Sequence, residues 1–312
     1  IVSLILNTSN PFPGLYEYHE QDAMIYPGIE WQKNSLLKNL SESNFVVVVG
    51  NSGVGKTSFI HSQILPELKS GFISNGNKNW KAVQFRPGRD PLVALANAMV
   101  SLNKSNIKKG EKVEPNLAFE FETILRKSKF GIIDIVEKYG LSENVNIVFF
   151  IDQLGDVVVQ HSHDFNSTIQ SDFKLFVSRL VEVINQSAYP IKIVSTLRTD
   201  RIGLFATFPS LAELINKNQF LLSTVERKDI RSVFRNISDG REFSFEPDFL
   251  KHIDEFYRTN PLVLAKFQHA MRRCVDQLNQ QKVANLIAEV EMRFSRYPHL
   301  IEILSTSQTL KS

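Results

Sequence analysis

FVVVVGNSGVGKT, residues 45–57, decides the fold. A run of apolar β-branched residues passes directly into Gly50-Asn51-Ser52-Gly53-Val54-Gly55-Lys56-Thr57, which satisfies the pattern G-x-x-x-x-G-K-[ST]. Chemistry accounts for these residue types. Glycines let successive backbone N–H groups curl around phosphate oxygens, the start of the next helix adds a positive dipole, and Lys56 reaches the outer phosphates. The Thr57 hydroxyl can ligate magnesium, and Ser58 in the same turn completes a candidate cofactor-binding stretch from Gly50 to Ser58. An ordinary glycine turn is the plain alternative, and it leaves the strand before and the helix after unexplained. The expected cofactors are therefore ATP or ADP with Mg2+.

Working outward, three further β-branched runs have the same character: WKAVQF at 80–85, NIVFFID at 146–152 and IKIVSTL at 191–197. Continuous apolar runs of this length suit strands buried on both faces. Helical patterns lie between them. Phe173, Phe176, Val177, Leu180 and Ile184 recur at helical spacing within 171–184, and another helix opens with Asp90 as cap and Pro91 in its first turn. Alternating strands and helices predict an α/β fold, a P-loop NTPase with a parallel sheet flanked by helices. The polar, lysine-bearing stretch 101–114 reads as a surface loop. From about Ser223 the strand signal stops and charged helical segments take over, which predicts a smaller all-helical domain. The expected division is a core over 1–222, with 1–40 as lead-in and first helix, and a lid over 223–312.

Asp152 ends the third of these apolar runs, where such enzymes place the carboxylate that holds magnesium through water. An aspartate that merely ends a strand is the alternative, and the phosphate loop favours the metal. Hydrolysis further needs a base or water-positioning group, commonly a glutamate beside or just beyond that aspartate. The residues that follow are Gln153, Leu154, Gly155 and Asp156, so the only nearby acid is the shorter Asp156. Arg198, in STLRTDR, falls at the carboxyl end of the fourth run, where an open α/β sheet binds its ligand. It can report a γ-phosphate through a bidentate contact or be a solvated strand-end arginine. The candidate catalytic residues are thus Asp152, Asp156 and Arg198, and the candidate metal ligands Thr57 and Asp152.

Composition limits the other possibilities. A chain of 312 residues with 43% hydrophobic and 22% charged residues can bury a core and exceeds what a single core usually fills. The net charge of +3 comes from 36 basic and 33 acidic residues that are scattered rather than massed, which gives little case for nucleic acid. The single cysteine, Cys274, excludes an internal disulfide framework and fits a reducing compartment, so a cytoplasmic location is expected. IVSLILN at the start is too short for a transmembrane span and lacks a basic flank, so no membrane partner is expected. Without an initiator methionine, the chain reads as a segment of a longer protein. His161 and His163 in QHSHD have no Cys/His partner set and are read as solvated. The MRRC stretch is read as a solvated helix face.

Several stretches together resemble the STAND class of signal-transducing NTPases, specifically the novel STAND family of bacterial conflict and antiphage proteins. They are NPFPGLYEYHEQDA (10–23), the P-loop with HSQILPEL, RPGRDPLVALANAM (86–99), IDQLGD, STLRTDRIG and TNPLVLAKFQHAM (259–271). The resemblance implies an ATP-binding switch with a helical lid, set between an effector domain and a repeat sensor. It also implies homo-oligomerisation on activation and a foreign-protein trigger. TNPLVLA corresponds to the lid's G-x-P-L element, which assigns Pro261 a place near the adenine, although Thr259 holds the glycine position. The family's early F-x-G-R is represented by Tyr26-Pro27-Gly28-Ile29, without the arginine, and its D-Q-F-E-E by Asp152-Gln153-Leu154-Gly155-Asp156. One acid is missing and the other is shortened, so slow or negligible ATP turnover is expected. The alternatives are an actively hydrolysing AAA-related remodeller and an origin-recognition-type DNA-binding ATPase.

Overall fold

The computed structural model describes residues 16–23, 26, 30–71, 79–104, 116–141, 145–156, 158, 167–186, 188–224, 269 and 272. The chain divides into two compact units, one comprising 1–29, 53–63 and 223–312 and the other 30–52 and 64–222. In chain order the described elements are α1 (Glu30–Glu42), β1 (Phe45–Gly50), α2 (Lys56–Phe59), α3 (Leu65–Lys69), β2 (Trp80–Phe85), α4 (Pro91–Lys104) and α5 (Leu117–Lys127). They continue with α6 (Gly131–Lys138), β3 (Asn146–Ile151), α7 (Ser167–Asn185), β4 (Ile191–Arg198), α8 (Pro209–Asn218) and β5 (Gln219–Leu221). A π-helical turn, Ile60–Ile64, joins α2 to α3, and a 3-10 stretch, Thr199–Thr207, follows β4.

The unit of 30–52 and 64–222 is built on a five-stranded sheet in the order β2-β3-β4-β1-β5, with every pairing parallel. All four strands expected from the sequence are present. Their apolar runs are explained by burial on both faces: Phe45, Val47 and Val49 of β1 join one core cluster with Ile147, Phe149 and Ile151 of β3, while the alternate residues Val46, Val48, Val148 and Phe150 are equally buried. A strand apolar on both faces carries no alternation to specify its register. Contacts at the start of β1 and β4 accompany the observed pairing: the Asn44 backbone carbonyl accepts the Ile193 N–H at 2.8 Å, and buried Lys192 donates to the Ser43 carbonyl at 3.0 Å, its ammonium pushed to lower pKa by burial.

Two expectations need correction. β5 was not anticipated; at three residues with only Phe220 buried, it is too short to show a period. The expected loop at 101–114 begins later, because Ser101–Lys104 are the last turn of α4, where Leu102 is buried on the face that carries Leu95, Ala98 and Met99. The remainder of that stretch and residues 225–268, 270–271 and 273–312 of the expected lid lie outside the described residues.

Arg179 of α7 is 6% exposed and has an architectural task. Its Nε donates to the Leu125 carbonyl at 2.8 Å and its Nη1 to the Lys129 carbonyl at 3.4 Å, satisfying acceptors at the end of α5. Arg179→Ala is expected to lower the unfolding free energy by about 1–3 kcal/mol, since it leaves a carbonyl without a partner and removes a buried stem. Urea denaturation checks this, and an unchanged midpoint would show that solvent reaches the helix end.

Candidate functional site

The phosphate loop has the backbone its glycines predict. Gly53 and Gly55 have φ of 77° and 94°, in the left-handed region that side chains disfavour. Gly55 precedes the first residue of α2, and its carbonyl accepts the Phe59 N–H at 2.8 Å, so the helix starts at Lys56 with Thr57 and Ser58 in its first turn. A Cβ on Gly55 would also lie 3.4 Å from the Tyr26 hydroxyl. Tyr26 and Tyr18 are buried against one another with ring centroids 5.1 Å apart, and Tyr26 lies 6.2 Å from Phe59. The Tyr18 N–H donates to Ser58 Oγ at 3.2 Å, so Ser58, expected among the cofactor-binding residues, also holds the segment that leads into α1. Burial drives the Tyr18 hydroxyl well above its ordinary pKa. These tyrosines were given no role from the sequence; the signal available was their position within the two early family-like segments.

The sheet gathers the other candidate residues at its carboxyl edge. Gly50, the last residue of β1, pairs with Arg198, the last of β4, while Ile151 pairs with Ser195 and is followed by Asp152. β4 lies between β1 and β3, so Arg198 ends the strand that separates the phosphate-loop strand from the aspartate strand.

Asp152 has no solvent exposure. Thr196 of β4 donates its hydroxyl to Oδ1 at 2.7 Å, and the same Thr196 oxygen accepts the Gln153 N–H at 2.8 Å. Arg86, the residue after β2, places Nε and Nη2 each at 2.8 Å from Oδ2. Gln153 has φ of 59°, the only non-glycine residue with positive φ among the described residues, and this turn aims its N–H back at Thr196. The carboxylate of Asp152 and the hydroxyl of Thr57 are hard oxygen donors of the kind magnesium takes. No cluster of three or more His, Cys, Asp or Glu that could cage a metal exists among the described residues. Magnesium commonly takes one or two such protein oxygens beside substrate phosphates, and each of these two groups by itself has that chemistry.

The region expected to supply the hydrolytic acid is closed. Residues 154–156 form a helical turn in which Gly155 is buried, and a Cβ there would lie 2.9 Å from Leu197 Cδ1 and 3.0 Å from Arg201 Cδ. Asp156 is ion-paired with Arg201. Arg198 forms a bidentate pair with Asp200, at 3.0 Å from Nε to Oδ1 and 2.7 Å from Nη2 to Oδ2. That contact pushes the guanidinium above its ordinary pKa and holds the Asp200 carboxyl below its own. Sequence reasoning missed Arg86, Thr196 and Arg201, whose partners lie far along the chain.

Pro261, Gly28, Cys274, His161 and His163 lie outside the described residues. Arg272, expected on a solvated face, lies over the Tyr16 ring at 5.3 Å from its centroid. No helix among the described residues is long and apolar enough to cross a membrane.

A parallel sheet whose first strand opens into a glycine loop, with a second strand ending in a buried aspartate, defines a P-loop NTPase. The sequence profile of the family described as Novel STAND NTPase 1 matches residues 11–290, and the chain belongs to that family. No curated protein matches it. Among solved structures it is similar to the ORC2 protein of Aeropyrum pernix in its ADPNP–ADP complexes, with 13% identity, a TM-score of 0.56, and coverage of 97% of this chain and 74% of that one. The ORC1 protein of the same organism, solved with DNA, is 10% identical with a TM-score of 0.51, covering 88% of this chain and 69% of that one. A Walker-type ATPase of Pyrococcus abyssi is 14% identical with a TM-score of 0.49, covering 92% of this chain and 80% of that one. The two Aeropyrum matches extend the likeness to the fold alone.

The crowding at Gly155 gives a direct expectation. Gly155→Glu should lower stability by about 1–3 kcal/mol through overpacking against Leu197 and Arg201, and it should not raise ATP turnover. Urea unfolding and phosphate-release assays test the two halves, and a stable variant with faster turnover would contradict the closed pocket.

Proposed function

We propose that this chain is the ATP-binding switch module of a STAND signalling protein, and that it turns ATP over slowly. The observation that carries the slow turnover is the pairing of Asp156 with Arg201 beside a glycine position closed by Leu197. A carboxylate engaged by a guanidinium is held away from the position needed to orient an attacking water.

In this reading Gly50 to Ser58 receive the phosphates, with loop N–H groups on the oxygens and the Lys56 ammonium on the outer ones. Thr57 and Asp152 hold magnesium, and charge on the phosphate oxygens is what the bound ion would neutralise. Arg198 recognises the γ-phosphate by exchanging one bidentate acceptor, the Asp200 carboxylate, for another. Pro261 contributes near the adenine, and the lid's response to nucleotide governs assembly with other copies of the chain. Such a switch requires ATP to bind the assembling form more tightly than the resting form. The resemblance to conflict proteins supports an antiphage role in the cytoplasm, with effector and sensor domains in the same longer protein and a foreign protein as trigger.

Protein purified in magnesium, denatured and chromatographed, is expected to release ATP, and Lys56→Ala protein is expected to release none. Released ADP together with steady turnover abolished by Asp156→Asn would replace the switch with a hydrolysing remodeller. For the longer protein with its trigger, equal assembly in ATP, ADP and no nucleotide would end the switch reading.

A further inference from the structure

Arg86 is the first residue after β2 and Asp152 the first after β3, and the two strands end side by side with Phe85 opposite Ile151. The backbone closes the corner, because the Asp152 N–H donates to the Phe85 carbonyl at 3.0 Å. Both guanidinium contacts then converge on a single carboxylate oxygen, Oδ2, while Oδ1 takes the Thr196 hydroxyl. The Arg86 side chain is 52% exposed and the Asp152 side chain 0%. A permanent positive charge therefore sits at the outer edge of the buried carboxylate.

We infer that Arg86 opposes magnesium at Asp152, so that nucleotide binding by this chain depends only weakly on the metal. The inference rests on the reading of Asp152 as the magnesium carboxylate. Two physical effects act in the same direction. A guanidinium does not lose its proton at any accessible pH, so its charge compensates that of Asp152 under all working conditions. A divalent cation drawing on the same carboxylate also meets like-charge repulsion from Arg86 a few ångströms away, at an edge where solvent screens only part of it. A purely structural Arg86 would behave differently: its loss would weaken the fold and nucleotide binding alike, with metal or without.

The test is the ratio of the ATP dissociation constant in excess EDTA to that in excess magnesium, measured by calorimetry on the whole chain. For Arg86→Gln this ratio is expected to rise about tenfold, the scale of one neighbouring unit charge at intermediate dielectric. Arg86→Lys keeps the charge but cannot direct two N–H groups at one oxygen from a rigid fork, and should fall between the parent and Arg86→Gln. Asp152→Asn added to Arg86→Gln should return the raised ratio to about the parent's. If Arg86→Gln leaves the ratio unchanged or reduces it, the counter-charge role is wrong, and a ratio that Asp152→Asn alone still lowers would leave the metal reading of Asp152 standing. If Asp152→Asn leaves the raised ratio of Arg86→Gln intact, the metal reading itself falls, and this inference with it. Should Arg86→Gln fail to fold, a ratio for Arg86→Lys no higher than that of the parent is enough to overturn the proposal.

Discussion

A carboxylate with no solvent exposure at the end of β3 sets conditions that the surrounding sheet has to meet. Removing an ionised group from water costs several kcal/mol unless charged or hydrogen-bonding partners replace the water. Asp152 finds them on two neighbouring strands: Arg86 after β2 and Thr196 within β4. Neither partner is local in sequence, so the carboxylate is satisfied only when β2, β3 and β4 lie in that order and in that register. Even the unfavourable φ of Gln153 serves this end, since a left-handed residue costs about 1–2 kcal/mol and here returns an N–H to the Thr196 oxygen. The apolar faces hold the sheet together, and the polar cluster at its edge is satisfied in the alignment they adopt.

The order β3-β4-β1 has a further consequence. By inserting β4 between the strand that feeds the phosphate loop and the strand that ends in Asp152, the fold places Arg198 at the same carboxyl edge as both. Ligands of open α/β sheets bind at that edge. Gly50, Asp152 and Arg198 stand at the ends of three separate strands, and their relative placement follows from hydrogen-bonded strand pairing.

Local features were legible in the sequence. The phosphate loop carries its own flanks, and each of the four long strands is an uninterrupted apolar run because both its faces are covered. Helix α4 is visible from Asp90 and Pro91, but its end is not, because its last turn is polar except at Leu102. What could not be read were relations that only the sheet order creates. Arg86 and Asp152 are separated by 66 positions and Thr196 and Asp152 by 44, and nothing at either end of these pairs marks the other. β5 is too short for periodicity and exists because β1 offers it an edge. That Gly155 stands where the family pattern has an acid follows from the resemblance, whereas the filling of its space by Leu197 and Arg201 does not.

That filling bears on which residues position 155 can carry. A glycine with room around it accepts a side chain without other change. Gly155 has neighbours on β4 and in the following 3-10 turn that occupy the volume a side chain would need, and one of them, Arg201, is also paired with the adjacent Asp156. Introducing a side chain there therefore requires Leu197 or Arg201 to give way, and a shift of Arg201 would disturb its pair with Asp156. Tolerance to substitution at this one position is thus tied to residues more than forty positions away, through steric occupancy.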